Sequence, residues 1–177
     1  SSHHWRAEIE RRLTDSVTGT LMTRYGLRRY TDSFAERNTN FFTLGPRVDY
    51  RAMDWLAVTL TYLYERGLAD GHKDTQFADD VSYYLHMVSA GTEVRLNRQW
   101  DLGFTYIHRR KTFTSGLAGD THVGRFDATH QGIAELRYHM SAAATVMLSF
   151  QYGKRTSTNA LRDFQDSILS IGGQYRF

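Results

Sequence analysis

Apolar and polar residues alternate along almost the whole chain. From Leu56 to Glu65 the even positions are apolar, and the odd positions are small or polar apart from Leu63. Side chains at i and i+2 share one face of a β-strand, whereas a helix would need a period of 3.6 residues. The alternation therefore predicts strands with one apolar and one polar face. The same pattern recurs in segments 5–13, 21–28, 44–51, 84–96, 102–106, 134–138, 146–152 and 169–177.

The connections between these segments alternate between short and long. Short ones are predicted at 14–19, 52–55, 97–100 and 141–144, and long polar ones at 31–39, 68–80, 112–124 and 156–166. Strands of about ten residues with tight turns at one end and longer loops at the other are typical of transmembrane β-barrels. The sequence thus predicts one all-β domain over 1–177, a transmembrane antiparallel up-and-down β-barrel with about nine strands here.

Two local features qualify this pattern. Pro46 falls inside the third segment, and because proline has no N–H to donate, it predicts a bulge or a strand edge there. Helical spacing is limited to 32–36 and 160–164.

The strand number is odd, although bacterial single-chain barrels have even numbers with both termini in the periplasm. We therefore expect this sequence to be the C-terminal part of a larger barrel. Two alternatives are a barrel shared between chains and a first segment that lies outside the wall. The first residues lack the basic and apolar regions of a signal peptide.

Composition excludes several classes of protein. The 177 residues carry a net charge of +3 and no cysteine. The charge is too small and too dispersed for a nucleic-acid-binding surface, and disulfides and thiolate metal sites are excluded. No apolar run reaches the length of a transmembrane helix. Only Lys73, Lys111 and Lys154 are lysines, and all lie in or beside long loops.

A water-soluble barrel would show equally strict alternation. The aromatic residues of the apolar face favour the membrane alternative, because they concentrate toward strand ends, and amphipathic rings prefer the bilayer interface. Those toward the short turns are Tyr50, Trp55, Trp100, Tyr138 and Phe177, and those toward the long loops are Tyr25, Phe42, Tyr62, Tyr64, Tyr84, Tyr106, Phe150 and Tyr152.

The last strand carries a recognisable motif. Residues 170–177 read SIGGQYRF, with Ile171, Tyr175 and Phe177 at alternate positions. This end resembles the C-terminal β-signal of Gram-negative outer-membrane proteins, although Gly173 stands where a larger apolar residue is usual. The resemblance implies location in the bacterial outer membrane, a periplasmic C-terminus, recognition by the barrel-assembly machinery and contact with a lipopolysaccharide-bearing bilayer.

The polar face supplies the candidate functional residues. Arginines and acids are interleaved on this face. Its charges would either pair across strands to hold the wall together or form a mildly cationic constriction that selects anions. We expect a pore or transport conduit. The alternatives are a sheath or scaffold barrel around a multihaem cytochrome or lipoprotein, and a polysaccharide-export barrel. The candidate lumen residues are Arg24, Arg47, Arg51, Glu93, Arg95, Arg109, Glu135 and Arg137.

Catalytic and metal chemistry has weaker sequence support. Asp79-Asp80 and Asp120-Thr121-His122 resemble the Asp/His arrangement of omptin-type outer-membrane proteases. A D-x-H triplet is common in polar loops, however, so we expect solvated loops here and no catalytic residue. His86 and His108 are expected at the membrane rim, and His130 and His139 at the rim or in the lumen. No metal site or cofactor is predicted.

Overall fold

The computed structural model describes residues 1–72 and 79–175. These residues form nine strands: β1 (Ser2–Arg12), β2 (Val17–Arg28), β3 (Thr39–Met53), β4 (Leu56–Ala69), β5 (Tyr83–Arg95), β6 (Trp100–Phe113), β7 (Phe126–His139), β8 (Ala144–Ser157) and β9 (Phe164–Tyr175). Two 3₁₀ turns, Asp32–Arg37 and Ala160–Arg162, lie where helical spacing was predicted. Within these described ranges, no helix has the length and apolar content needed to cross a membrane.

The strands form one antiparallel sheet in which each strand pairs with the next in sequence. The predicted all-β, up-and-down architecture is therefore confirmed. In the described residues the sheet is open, with β1 and β9 as its edges, whereas a barrel was predicted. Nine antiparallel strands bring β1 and β9 to the two edges in the same direction, so an antiparallel ladder between them cannot close the sheet.

Side-chain hydrogen bonds hold the short turns. The Thr14 hydroxyl accepts from the backbone N–H groups of Ser16 and Val17, and the Asn97 side chain accepts from those of Gln99 and Trp100. Asn, Ser and Thr favour turns because they satisfy backbone donors locally. We call this end of the sheet the short-turn end, and the opposite end, with the connections 29–38, 70–82, 114–125 and 158–163, the long-loop end.

Pro46 was predicted to mark a bulge or a strand edge, and this prediction was wrong, because the register shift lies elsewhere in β3. Pro46 lies inside β3 opposite Leu21, in an inner strand of the sheet, and pairing with β4 is interrupted at Gly45 and Pro46 without a change of register. The register shift comes later, between Arg51 and Met53. A Cβ on Gly45 would clash with the carbonyl oxygen of Tyr62, so glycine permits the close approach of β3 and β4 beside the proline.

The register divides the sheet into an apolar face and a polar face. On the apolar face, for example, Val94, Leu102, Leu136, Leu148 and Ile171 lie side by side on consecutive strands. None of the strand residues described on this face is Asp or Glu. Many of its large side chains are exposed, including Leu60, Phe104, Leu148, Phe150 and Ile171.

Buried apolar side chains collect instead at the long-loop end. Those of Phe41, Ala69, Tyr83, Phe113 and Leu117 are buried there, on the polar side of the sheet and under the loops. The described chain therefore buries little of its apolar surface, and the largest apolar area faces outward.

Candidate functional site

The eight predicted lumen residues all lie on the polar face. The ladders connect them through directly opposed neighbours, as in the row Arg51, Ala57, Glu93, Gly103 and Glu135. The alternation of apolar and polar positions predicted that these residues share one face, and the register of the strands confirms it. The eight are Arg24, Arg47, Arg51, Glu93, Arg95, Arg109, Glu135 and Arg137.

Toward the short-turn end, the charges of the polar face pair with one another. The Arg137 guanidinium donates to Glu93 (2.9 Å) and to Glu135 (3.1 Å), and that of Arg47 donates to Asp49 (2.8 Å). These side chains are about a third to a half exposed. Such pairs stabilise a fold by at most about 1 kcal/mol each. The Arg137–Glu93 pair reaches across β6 from β7 to β5, whereas the Arg137–Glu135 and Arg47–Asp49 pairs each lie within one strand. Within each pair the opposite charges offset one another.

A buried carboxylate organises the polar face nearer the long-loop end. Glu65 on β4 is only 2% exposed. Its carboxylate accepts hydrogen bonds from the Thr43 hydroxyl (2.6 Å), the Tyr83 hydroxyl (2.5 Å) and the Arg24 guanidinium (2.7 Å). Four strands, β2 to β5, are thereby tied to one side chain. Parity assigns Glu65 to the polar face, but no sequence signal marks it as buried.

The polar face is concave. One cavity of about 290 Å³ is lined by side chains from six strands, from Arg6 on β1 to Arg109 on β6. Strands are spaced about 4.8 Å apart, so β1 and β6 would stand roughly 24 Å apart in a flat sheet. Side chains from both reach the same cavity because the sheet curls around the polar face.

The loops at the long-loop end are joined by a polar cluster around Asp120. The Asp120 carboxylate accepts from the Ser115 hydroxyl (2.5 Å) and from the backbone N–H groups of Asp80 (2.9 Å) and His122 (2.9 Å). The His122 Nδ1 lies 2.9 Å from a carboxylate oxygen of Asp79 and of Asp120. These bonds connect the β4–β5 and β6–β7 loops.

The structure thus brings together the aspartates and the histidine of the two loop motifs. Potential ligand atoms of Asp79, Asp120 and His122 lie within 4.8 Å of one another, so these three residues are the described group best placed to hold a cation. Each carboxylate already has a protein partner, since Asp79 pairs with Arg37 and Asp120 with Ser115. Asp80 is fully buried and bonded to Ser82 and His72. The cluster is therefore explained by a structural role, in which these contacts join the β4–β5 loop to the β6–β7 loop.

Hydrogen bonding also lowers the pKa of Asp120. Burial alone would raise this pKa, but the hydrogen bonds from Ser115 and from the backbone of Asp80 and His122 outweigh it, so the pKa lies below the usual 3.8. Because the folded-state value is the lower one, the charged form stabilises the loop junction above about pH 4. That stabilisation is lost as the pH falls through the lowered value.

Replacing Asp120 with asparagine is expected to loosen the loop junction at neutral pH. Charge-assisted hydrogen bonds contribute about 1.5–3 kcal/mol each, so backbone amide exchange at Asp80 and His122 should accelerate about tenfold or more. The intact protein should show the same acceleration only in acid, after correction for intrinsic exchange rates. Hydrogen exchange followed by mass spectrometry measures both.

Asp163→Asn is the matched control, because Asp163 accepts from a backbone N–H (of Ser157) in a different loop. It should leave exchange at Asp80 and His122 unchanged. Equal acceleration in the two variants would contradict the assigned junction.

The remaining predicted histidines divide between the two faces. Tyr62 and His86 are hydrogen-bonded on the apolar face (2.8 Å), and so are Tyr106 and His130 (2.7 Å). His108 lies on this face beside His130, with ring centroids 4.6 Å apart. His139 lies on the polar face, where its Nε2 is 2.7 Å from Asp101. A hydrogen bond between two polar side chains lowers the cost of placing them on an apolar face.

No protein-family model matches the sequence, and no curated protein matches it significantly.

Proposed function

We propose that this chain forms part of the wall of a bacterial outer-membrane β-barrel whose polar face lines a pore or transport conduit. The observation that carries the proposal is the division of the sheet into an acid-free apolar face and a concave, charged polar face. An aqueous conduit through lipid requires these two surfaces on opposite sides of one wall.

Lipid contact accounts for the apolar face. Aromatic rings pair near both ends of the strands, as in Trp100 with Tyr138 (centroids 4.6 Å apart) and Tyr64 with Tyr84 (6.1 Å). Apart from the interruption at Gly45 and Pro46, the inner strands are paired with a neighbour on both sides, as hydrocarbon demands. In this proposal, further strands of the same or another chain pair with the edges β1 and β9 and close the barrel.

The assembly signal belongs to the same proposal. Ile171 and Tyr175 lie on the apolar face of the edge strand β9, opposite Leu148 and Ala144, and both are exposed. Phe177 lies outside the described residues. An edge strand of the described sheet with alternating apolar side chains is a suitable substrate for the barrel-assembly machinery. Because β9 ends at the short-turn end, a periplasmic C-terminus would place that end in the periplasm.

What fills the lumen, and whether it conducts ions, distinguishes the conduit from the alternatives. A sheath barrel would hold a multihaem cytochrome or a lipoprotein against the polar face and would copurify with it. The paired charges Arg137, Glu93 and Glu135 suit any of these lumens, so conductance is the property to measure.

The full chain, purified from outer membranes and reconstituted in a planar bilayer, is expected to give discrete conductance steps. Arg51 lies on the polar face and is exposed, so Arg51→Gln should lower the anion-to-cation permeability ratio by removing a positive charge from the lumen. Reversal potentials in a salt gradient measure that ratio.

Arg11→Gln is the control, because Arg11 carries the same charge on the apolar face of β1. It should leave the ratio unchanged. Absence of conductance together with a copurifying cytochrome or lipoprotein would replace the conduit with the sheath.

A further inference from the structure

The polar face holds another cavity, at the long-loop end, whose described lining contains six cations and no carboxylate. Its volume is about 300 Å³, at the lower end of the range for small-molecule sites. Tyr83, Phe113 and His122 contribute to its wall. The six cationic side chains that line it are Arg28, Arg37, Lys111, Arg125, Arg155 and Arg162.

Only two of these six cations are paired with acids in the described residues. Arg37 pairs with Asp79, and Arg125 makes a bidentate contact with Asp127 (3.0 and 2.6 Å). Arg28, Lys111, Arg155 and Arg162 have no carboxylate within 4.0 Å in that part of the chain. At the short-turn end, by contrast, Arg47 pairs with Asp49, and Arg137 pairs with Glu93 and Glu135.

Aromatic rings hold two of the unpaired cations, Lys111 and Arg28, in place. The Lys111 Nζ lies 3.9 Å from the centroid of the Tyr83 ring and 4.5 Å from that of Phe113. The Arg28 guanidinium lies 4.8 Å from the centroid of the Phe41 ring. Cation–π contacts position a positive charge without neutralising it.

The nearest acids are already engaged elsewhere. Glu65 and Asp127 both act electrostatically on Lys111. Glu65, however, is bonded to Arg24, Thr43 and Tyr83. Asp127 is bonded to Arg125 and to the Ser157 hydroxyl. Among the described residues, the lining of the cavity therefore keeps a net positive charge.

We propose that this cavity is a binding site for a small oxyanion, a molecule with clustered carboxylate or phosphate groups. Several cations that converge on one small cavity repel each other, and a multivalent anion relieves that repulsion while it accepts charge-assisted hydrogen bonds. The site extends the proposed function, because it lies on the face assigned to the lumen and gives that lumen an anionic ligand.

Isothermal titration of the folded full chain in detergent, at fixed ionic strength and in phosphate-free buffer, tests the site. Pyrophosphate and citrate serve as the phosphate and carboxylate probes, and the tighter one identifies the preferred group. Lys111→Gln and Arg155→Gln should each weaken that binding about tenfold, because each removes a charged donor. Lys111→Arg should retain most of the affinity.

The chain offers two matched controls. Arg110 and Lys154 are the sequence neighbours of Lys111 and Arg155, and both lie on the apolar face. Arg110→Gln and Lys154→Gln remove the same charge one residue away along the same strands, but from the opposite face. Both variants should therefore bind the preferred probe like the unaltered protein. Far-UV circular dichroism establishes that every variant keeps its strand content.

Three results would overturn the site: no saturable binding of either probe, equal weakening in the variants of both faces, or the same loss in Lys111→Arg as in Lys111→Gln. The titration does not require conductance. A protein that binds the probes without conducting would refute the conduit and leave the site standing, and the reverse result would refute the site alone.

Discussion

Replacing Glu65 with glutamine is expected to lower the free energy of unfolding by about 3 kcal/mol. The substitution keeps the shape of the side chain but removes the charge that accepts hydrogen bonds from Thr43, Tyr83 and Arg24. The Arg24 guanidinium then loses its only close carboxylate partner in the described residues. Urea unfolding, followed by tryptophan fluorescence of the protein in lipid vesicles, measures the change.

Glu93→Gln is the matched control for this prediction. Glu93 also pairs with an arginine on the polar face (Arg137, 2.9 Å), but its side chain is 52% exposed. Exposed pairs contribute at most about 1 kcal/mol, so Glu93→Gln should shift the free energy of unfolding by less than that. Equal effects of the two substitutions would show that burial of Glu65 contributes nothing to stability.

Introducing an arginine at Ala90 is expected to cost about 2–4 kcal/mol when the protein is in a bilayer. Ala90 lies near the middle of β5 on the apolar face, between Leu60 and Tyr106. A charge there would enter hydrocarbon if this face contacts lipid. If the face were covered only by water, an arginine at this small residue would change little. Reversible unfolding from vesicles measures the cost.

The adjacent residue provides the control. Ser89 is also small and partly buried, but its side chain lies on the polar face, in a cavity that contains Glu93 and Glu135. Ser89→Arg should therefore change the free energy of unfolding by less than about 1 kcal/mol. If Ala90→Arg is tolerated as well as Ser89→Arg, the apolar face does not contact lipid, and the membrane proposal fails.

Much of the fold could be predicted because the period of a strand is local. Alternation alone assigned Arg24, Arg51 and Arg137 to the same face as Glu93, and the register agrees. The positions of turns and loops could be predicted for a similar reason, since residues such as Thr14 and Asn97 satisfy backbone donors within three residues. Interruption of one ladder at Pro46 was less predictable, because it depends on how closely β4 approaches Gly45.

The candidate sites could be predicted only in part. Asp79, Asp120 and His122 were noted as separate loop motifs, but their contact depends on two loops that fold over the same end of the sheet. Lys111 was noted only as a lysine beside a long loop. Its position between Tyr83 and Phe113, without a carboxylate partner in the described residues, results from the pairing of β5 with β6.

The sequence by itself determined that this chain is a nine-stranded antiparallel sheet with one apolar and one charged face, because side-chain direction in a strand follows from parity and needs no distant partner. Tertiary structure decided the rest. Curvature and register determine which charges meet. Glu65 is buried and paired, whereas Arg28 and Lys111 line a cavity that has no acid among its described residues. Contacts of this kind join residues many positions apart, and an interaction across several strands has no period in the sequence.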